Sequence, residues 1–569
     1  PELAASVLGQ CEDTTNTTAG PQGSADGLQL LGVEGIAQTT TLMAARQRPQ
    51  LRRLGSLVRR GCEMDPSVAE IVTFNGCEEL LRGSRLETVL RFGAIIFRDS
   101  RGSAATYSLS RRVVRIGTFI SHNWSVGRFK KFVALSFHFN FDLSLVLMVF
   151  VVLVLGVASA SGAFPVVQEV SRKYPSGVVC RLVCVPLFFC VLFLIRDVLG
   201  CLGVGCHSVF LDKTCIHQED LDIQLRGIRK LGGFLCNSGE MLVLYTDVYL
   251  LKLWTVYEVA CFLSLHPVSR LRIVPISQAR IFCVALAYIY LASVLSLITR
   301  TFVASPEIFY VICGGAACAY GCVQRTWYQE LAVIRNRLSS FSVRDCTCFC
   351  IEDRPVVYRN IVELMKACMV VDASSSTEEA LTAFDEMIKA DFGGHFINSF
   401  SRFAFQYKHY VVLGAALSIP TFLDIIAALA YGCPVRQTLA DTSLYVFGMF
   451  CALPFGALAI EFCVASHLNW RGPLGWTWTV LSSAFIATLP VSVATLFFGT
   501  VVQQAVDSDI QLVGTILFSG CLGVVVFLIA SGRCLWGKQL CCMRSPTSQG
   551  DMSSEVDTDV YGLGASDRI

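Results

Sequence analysis

Val113–Trp124, VVRIGTFISHNW, and His207–Ile276, which holds SVFLDKTCIHQ, EMLVLYTD, LWTVYEVACFLSL and RLRIVPI, read as two parts of one α/β unit. Val113–Ser121 is a run of β-branched and apolar residues ending in a polar turn, the pattern of a strand buried on both faces. Ser125–Phe137 then has helical spacing. Ser208–Asp212, Met241–Tyr245 and Leu271–Ile276 repeat the strand pattern. Gln224–Leu235 and Leu251–Leu265 repeat the helical one, although three glycines weaken the first. Strands alternating with helices predict a parallel sheet, and such sheets bind ligands at the carboxyl ends of their strands. Ser121–Trp124, Asp212–Gln218 and Asp247–Leu250 all fall at those ends.

Two apolar segments, Leu143–Phe164 and Arg181–Leu199, lie between the two parts. An even number of crossings returns the chain to the side it left, so the parts can meet in one compartment. A helical hairpin also brings its own ends together, and can sit inside a domain as a loop insertion does. Hydrophobic residues make up 53% of the chain against 16% charged, and the mean hydropathy is +0.56, which lies outside the soluble balance. At roughly 20 apolar residues per crossing, further spans are expected at Ile281–Thr299, Ile308–Cys322, Tyr410–Ala430, Ser443–Cys463, Trp476–Val501 and Leu512–Ala530. The fold expected is an α-helical multi-pass membrane protein of about eight spans, carrying a small cytosolic α/β domain with a parallel sheet.

Charge placement sets the expected sidedness. Arg111, Arg112, Arg115, Arg128, Lys130 and Lys131 precede the first span, and Arg533, Lys538 and Arg544 follow the last. The opposite loops offer only Arg172, Lys173, Arg300 and Arg436. The positive-inside rule therefore puts both termini and both polar insertions in the cytosol. Pro1 in place of an initiator Met implies a piece of a longer chain, and a span upstream of it would invert this orientation.

Along the chain, residues 1–60 read as disordered, and 61–140 as short helices followed by the first part of the α/β unit. Residues 141–200 form a membrane hairpin, 201–280 the second part of the unit, and 281–324 a second hairpin. Residues 325–409 are a cytosolic helical insertion, 410–531 a four-span bundle and 532–569 a disordered tail. Ser376 and Glu379 make a capping box ahead of EEALTAFDEMIKADF, and Gly393–Gly394 is expected to end that helix. The 26 cysteines do not make a disulfide framework, because many sit inside spans, where a thiol packs as a small apolar group. Cys346, Cys348 and Cys350 lack the second pair that a zinc site uses, so no metal centre is expected. Cys534, Cys541 and Cys542, beside basic residues after the last span, are candidates for acylation.

FISHNW, FLDK and the W-x-x-x-E of Trp254 and Glu258, in this order within a βα alternation, resemble the Toll/interleukin-1 receptor (TIR) domain. Asp212, Cys215, Ile216 and Gln218 also match the D-x-x-C-I-x-Q pattern of the related fungal heterokaryon-incompatibility domain. The resemblance implies a flavodoxin-like α/β fold that associates with itself or with similar domains in signalling. In enzymatic TIR domains the helix glutamate cleaves the nicotinamide–ribose bond of NAD. That role falls by resemblance on Glu258, with Ser121, His122, Trp124, Asp212, Lys213 and Trp254 binding the substrate. NAD is then a substrate, and no bound cofactor is implied. In adaptor TIR domains Trp254 and Glu258 would only hold the helix against the sheet.

A different class of function was weighed from the spans. An ionisable residue at membrane depth is a functional candidate. Asp142 and Glu461 fall near span ends, which leaves Asp424 as the residue to carry a transporter or channel reading. Nothing resembling paired, broken transporter helices is present in the sequence pattern. The chain has no P-loop, H-E-x-x-H or G-x-S-x-G in its polar parts, and its net charge of +2 with no basic aromatic patch excludes a nucleic-acid partner. The partner that composition does establish is the lipid bilayer.

Overall fold

Both motif-bearing stretches contribute strands to a single six-stranded sheet. The computed structural model describes residues 66–486 except 170–172, 206, 303–305, 349, 369, 401–404, 406, 440–452 and 469–471, together with residue 513. The strands are β1 (Arg82–Arg85), β2 (Ser110–Arg112), β3 (Ile116–Ser121), β4 (Val166–Val167), β5 (Ser176–Gly177), β6 (Ser208–Phe210), β7 (Ser238–Tyr245) and β8 (Leu271–Pro275). The large sheet runs β2-β1-β6-β3-β7-β8. β6, β3, β7 and β8 are parallel neighbours, while β1 joins β6 and β2 joins β1 antiparallel. The two antiparallel strands fall where only short helices were expected. RGSR and SRR are charged sequences, SRR at the sheet's edge, with none of the apolar alternation that marks a strand.

From β3 the chain passes to β6 on one side, then crosses back to β7 on the other. The winding reverses between β3 and β7, and the crevice above their carboxyl ends is where doubly wound sheets hold ligands. The first crossover is the membrane hairpin itself: α1 (Arg128–Ala160) and α2 (Val179–Cys201) connect β3 to β6. At 1.5 Å per residue the 33 residues of α1 run about 50 Å, against roughly 30 Å of hydrocarbon. Its first turns therefore stay with the sheet, where Lys131, Ala134 and Leu135 are buried. Near the domain Asn140 donates to Leu192 O (2.9 Å), and Arg196 donates to Asn140 Oδ1 (2.7 Å) and Glu87 Oε1 (2.9 Å).

Among the described residues, four helical stretches are long and apolar enough to cross a membrane: Arg128–Ala160, Val179–Cys201, Ile276–Thr299 and His409–Tyr431. The protein is thus mostly helical and integral to a membrane by composition and helix length, with a small parallel-rich sheet. Ile308–Cys322, expected as a span, is the first half of a longer helix, Pro306–Ser339. The second half of that helix carries Arg325, Glu330, Arg335 and Arg337. Ser443–Cys463, Trp476–Val501 and Leu512–Ala530 lie partly or wholly outside the described residues, as do residues 1–60 and 532–569.

The predicted Gln224–Leu235 helix is two, Leu221–Arg229 and Leu231–Cys236. Its glycines serve close approach: a Cβ on Gly232 would meet the Ile71 carbonyl oxygen at 2.8 Å, and one on Gly233 the Phe74 ring at 2.9 Å. The helix over the crevice is α3 (Leu253–Leu265). Against it packs the second insertion, with helix α4 (Asp353–Ala367). Thr347 donates to Leu251 O (2.7 Å) and accepts from Leu253 N (3.0 Å), and Phe396 sets its ring 5.0 Å from that of Tyr245. The capping box of Ser376 and Glu379 is formed. Gly393–Gly394 does not end the chain's helical course; the backbone loosens into a π turn over Ile388–Gly393 and resumes as Gly394–Phe400.

Candidate functional site

β3 delivers Ser121 to the reversal point, where its hydroxyl lies between two groups. It donates to Glu258 Oε2 at 2.5 Å and stands 2.6 Å from the Tyr249 hydroxyl. Tyr249 comes from the turn after β7, and its hydroxyl also reaches Thr255 O at 3.4 Å. Glu258 comes from the second turn of α3 and is partly exposed. Burial raises its carboxyl to about 8, the Asp212 charge adds to the rise, and the Ser121 hydrogen bond opposes it. At neutral pH the carboxyl therefore mostly holds its proton, joined through Ser121 to Tyr249, whose own hydroxyl burial pushes well up. Such a group exchanges a proton near neutrality, the property that acid–base or charge-stabilising chemistry requires.

The loop after Ser121 supplies the rest. Asn123 Oδ1 accepts from Ser125 N (3.0 Å), turning the chain into α1. Trp124 Nε1 donates to Asp212 Oδ2 (2.8 Å), which joins the β3 and β6 ends. His122 sets its ring 4.7 Å from Trp124 and 5.1 Å from Phe97, edge-on to both. Burial lowers the imidazole to about 4, so it is neutral.

Ser121, His122, Trp124, Asp212 and Glu258 are thus brought to one locality; the Asp212 charge bears on both His122 and Glu258. Lys213 lies beside the cluster, its ammonium 5.8 Å from the Trp124 ring centroid, but its hydrogen bonds go to the Ile96–Asp99 turn, and Trp254 is engaged elsewhere. The Lys213 ammonium donates to Ile96 O (3.1 Å), Asp99 O (2.9 Å) and Asp99 Oδ1 (2.9 Å), and so pins the turn beneath Phe97. The Trp254 indole donates to Asp353 Oδ2 (3.1 Å) on the second insertion. Cys215 is buried, and its thiol, pushed up by burial, packs against Thr214 and Val209 O. Among the described residues no group of three His, Cys, Asp or Glu side chains is arranged to hold a metal. Cys346 of the C-x-C-x-C run donates to Leu250 O (3.4 Å).

Sequence reasoning missed Tyr249 and Lys131. Tyr249 follows the third strand end, and could have been found by asking which hydroxyl faces Ser121. Lys131 was counted only as a topology charge. It is fully buried in the first turn of α1, its ammonium 4.7 Å from the Trp124 ring centroid and 5.2 Å from that of Phe97.

No family model, curated protein or solved structure matches the chain. The chemistry at the reversal point has to be argued from its own geometry.

Proposed function

We propose that this chain is a membrane-anchored signalling or interaction protein built on a TIR-like domain, with an NAD-cleaving site centred on Glu258. The observation that carries the reading is the Glu258 carboxyl held by Ser121 at 2.5 Å, at the sheet's reversal point. Losing nicotinamide leaves an oxocarbenium-like ribose, which an adjacent carboxylate stabilises strongly at a partly desolvated site. The proton that burial keeps on Glu258 is no obstacle. A cationic nicotinamide ring beside the carboxyl favours its ionised form, so binding of this substrate expels the proton. Water then takes the ribose carbon, releasing ADP-ribose and nicotinamide.

The membrane part of the proposal has about eight spans, with both termini and the α/β domain on the cytosolic side. It is supported by the basic residues Arg111, Arg112, Arg115, Arg128 and Lys130 ahead of the first span. Cysteine-accessibility labelling near Asn123 and near Glu240 should report the same face, and labelling from opposite faces would defeat it. A transporter reading finds less support, because both Asp424 carboxylate oxygens hold the start of α2.

The test is NAD depletion by the purified wild type and by Glu258→Gln, at concentrations that promote self-association. The glutamine keeps size and hydrogen bonding while removing the charge, so turnover should fall to background with the fold intact. Equal depletion by both proteins would remove Glu258 from the mechanism. No depletion by either leaves the domain an interaction module.

A further inference from the structure

A buried polar atom without a partner costs free energy comparable to a lost hydrogen bond, and a buried unpaired charge costs more. Three such atoms gather in the turn from β3 into α1. His122 Nε2, Asn123 Nδ2 and Lys131 Nζ have no protein hydrogen-bond partner, and their residues are 8%, 8% and 0% exposed. They sit at the start of α1, where Gly127 is the N-cap, no side chain caps the helix and the first turn carries no acidic residue. The first backbone N–H groups of a helix are donors aimed out of its end, and the helix dipole favours negative charge there. The Lys131 ammonium is held by the ring faces of Trp124 and Phe97, weak cation–π substitutes for an anion. The nearest strand end is that of β3, beside the crevice where doubly wound sheets hold ligands.

From these observations we infer that the β3–α1 turn is an anion subsite for the phosphate group of a phosphorylated sugar, with Lys131 as its principal binding residue. Lys131 and Asn123 Nδ2 donate to the phosphate oxygens together with the open helix N-terminus. The unsatisfied His122 nitrogen is suited to a neighbouring sugar hydroxyl, since a hydroxyl can either donate or accept. The alternative explanation, that Lys131 is structural, fails on its own terms. A structural lysine at this depth would be hydrogen-bonded, whereas the Lys131 ammonium, although the Asp212 charge bears on it, has no hydrogen-bond partner among the described residues. The inference stands whether or not Glu258 cleaves NAD, because it rests on Lys131, Asn123 and the start of α1 and not on the Glu258 carboxyl.

The experiment is thermal unfolding of the full detergent-solubilised chain with ADP or inorganic pyrophosphate as the probe, across a salt series. Wild type should gain Tm with either probe, less so at high salt. Equal gains identify the phosphate alone as the recognised group, and a larger gain with ADP identifies the phosphorylated sugar; both support the subsite. Lys131→Met should weaken the apparent Kd about tenfold to a hundredfold. Its Tm without probe should be equal to or above wild type, since it replaces an unpaired buried charge by an apolar side chain. Asn123→Asp supplies an independent arm: it keeps the acceptor to Ser125 N and sets a negative charge in place of the donor, so binding should again fall. Glu258→Gln should retain the probe-induced rise, which separates this subsite from the catalytic proposal. Absence of any rise in wild type, an unchanged rise in Lys131→Met and Asn123→Asp, or a marked loss of Tm in Lys131→Met without probe would each overturn the inference.

Discussion

Two clusters of buried charge lie at opposite ends of the α1–α2 hairpin, and they are built differently. At the far end Arg181 donates to Asp424 Oδ2 and Glu169 Oε1, both at 3.2 Å, while Asp424 also accepts the backbone N–H groups of Cys180 and Arg181 at 3.1 Å. Ser176 donates to the same Glu169 oxygen at 2.7 Å. Glu169 and Ser176 close the loop between α1 and α2 locally, while Asp424 reaches the start of α2 across more than two hundred residues of sequence. At the near end Lys131 is buried without an anion, His122 without a partner for Nε2, and Glu258 with a proton that ordinary carboxyls shed. Paired burial fixes structure, whereas burial left incomplete keeps capacity for a ligand. The same hairpin therefore carries a closed polar network at one end and an open one at the other.

The largest effect should come from breaking the closed network. Asp424→Ala leaves Arg181 buried with Glu169 alone and uncaps α2, a change worth about 3–5 kcal/mol of stability. Thermal unfolding in detergent should show a large drop in Tm, with little folded protein recovered. A variant that unfolds like wild type would mean that Asp424 is spare, and would return it to the transporter reading. The open end should respond in the opposite sense. The unfolded Glu258 carboxyl ionises from about 4.5 and the folded one only near 8, so the native state binds more protons between those values. Stability from this group is fully present below about 4.5 and is lost as pH rises through about 8. Glu258→Gln does not titrate. Its Tm advantage over wild type should open across that window and level off above it, at about 2 kcal/mol once solvent access to the carboxyl is allowed for. A constant difference at all pH values would show that the carboxyl is not held protonated.

The contrast between the ends was only partly legible in the sequence. β3, β6, β7, β8 and α3 follow from apolar runs and helical spacing, because burial on both faces leaves a compositional signature. The charged strands β1 and β2 carry no such signature, since their pairing, β2 to β1 and β1 to β6, is made by backbone atoms. Asp424 was visible as an intramembrane carboxylate, but its partners are the Arg181 side chain and the backbone N–H groups of Cys180 and Arg181, and no local pattern announces a pairing across so long a separation. Ser121 and Glu258 were named from motif order, and they do meet. Lys131 was visible only as one of six basic residues before a span. Burial distinguishes it from Lys130 beside it, and a helix that serves both the sheet and the bilayer blurs the periodicity that would have revealed that difference.

Within the open end, Ser121 and Glu258 can be separated by pH. Catalysis by the carboxylate form predicts that kcat/KM for NAD rises with pH and levels off above about 8, the free protein's value. The Ser121 hydrogen bond favours the ionised form, so Ser121→Ala should move the rise to higher pH. A hydrogen bond to a charged group is worth about 1.5 kcal/mol, or about one pH unit. A profile that falls with rising pH would make Glu258 a proton donor instead, and an unmoved profile would detach Ser121 from its ionisation.

The smallest effect belongs to the pair of tryptophans that share one donor chemistry and face different partners. Trp124 donates to Asp212 inside the cluster, and Trp254 donates to Asp353 on the second insertion. The W-x-x-x-E spacing placed Trp254 beside Glu258 on one helical face, but four residues subtend about 400° of helix, and a bulky indole can lean away from that shared line. Here it leans toward α4, so its loss should loosen the insertion rather than the site. Trp254→Phe keeps the ring's apolar body and removes one N–H, at a cost of about 1 kcal/mol. Hydrogen exchange should quicken in α4 with ADP binding and NAD turnover unchanged. The matching Trp124→Phe frees Asp212 and removes the best face over Lys131, so it should weaken ADP binding with α4 protection unchanged. If the two variants exchange these outcomes, the site lies on the other side of α3.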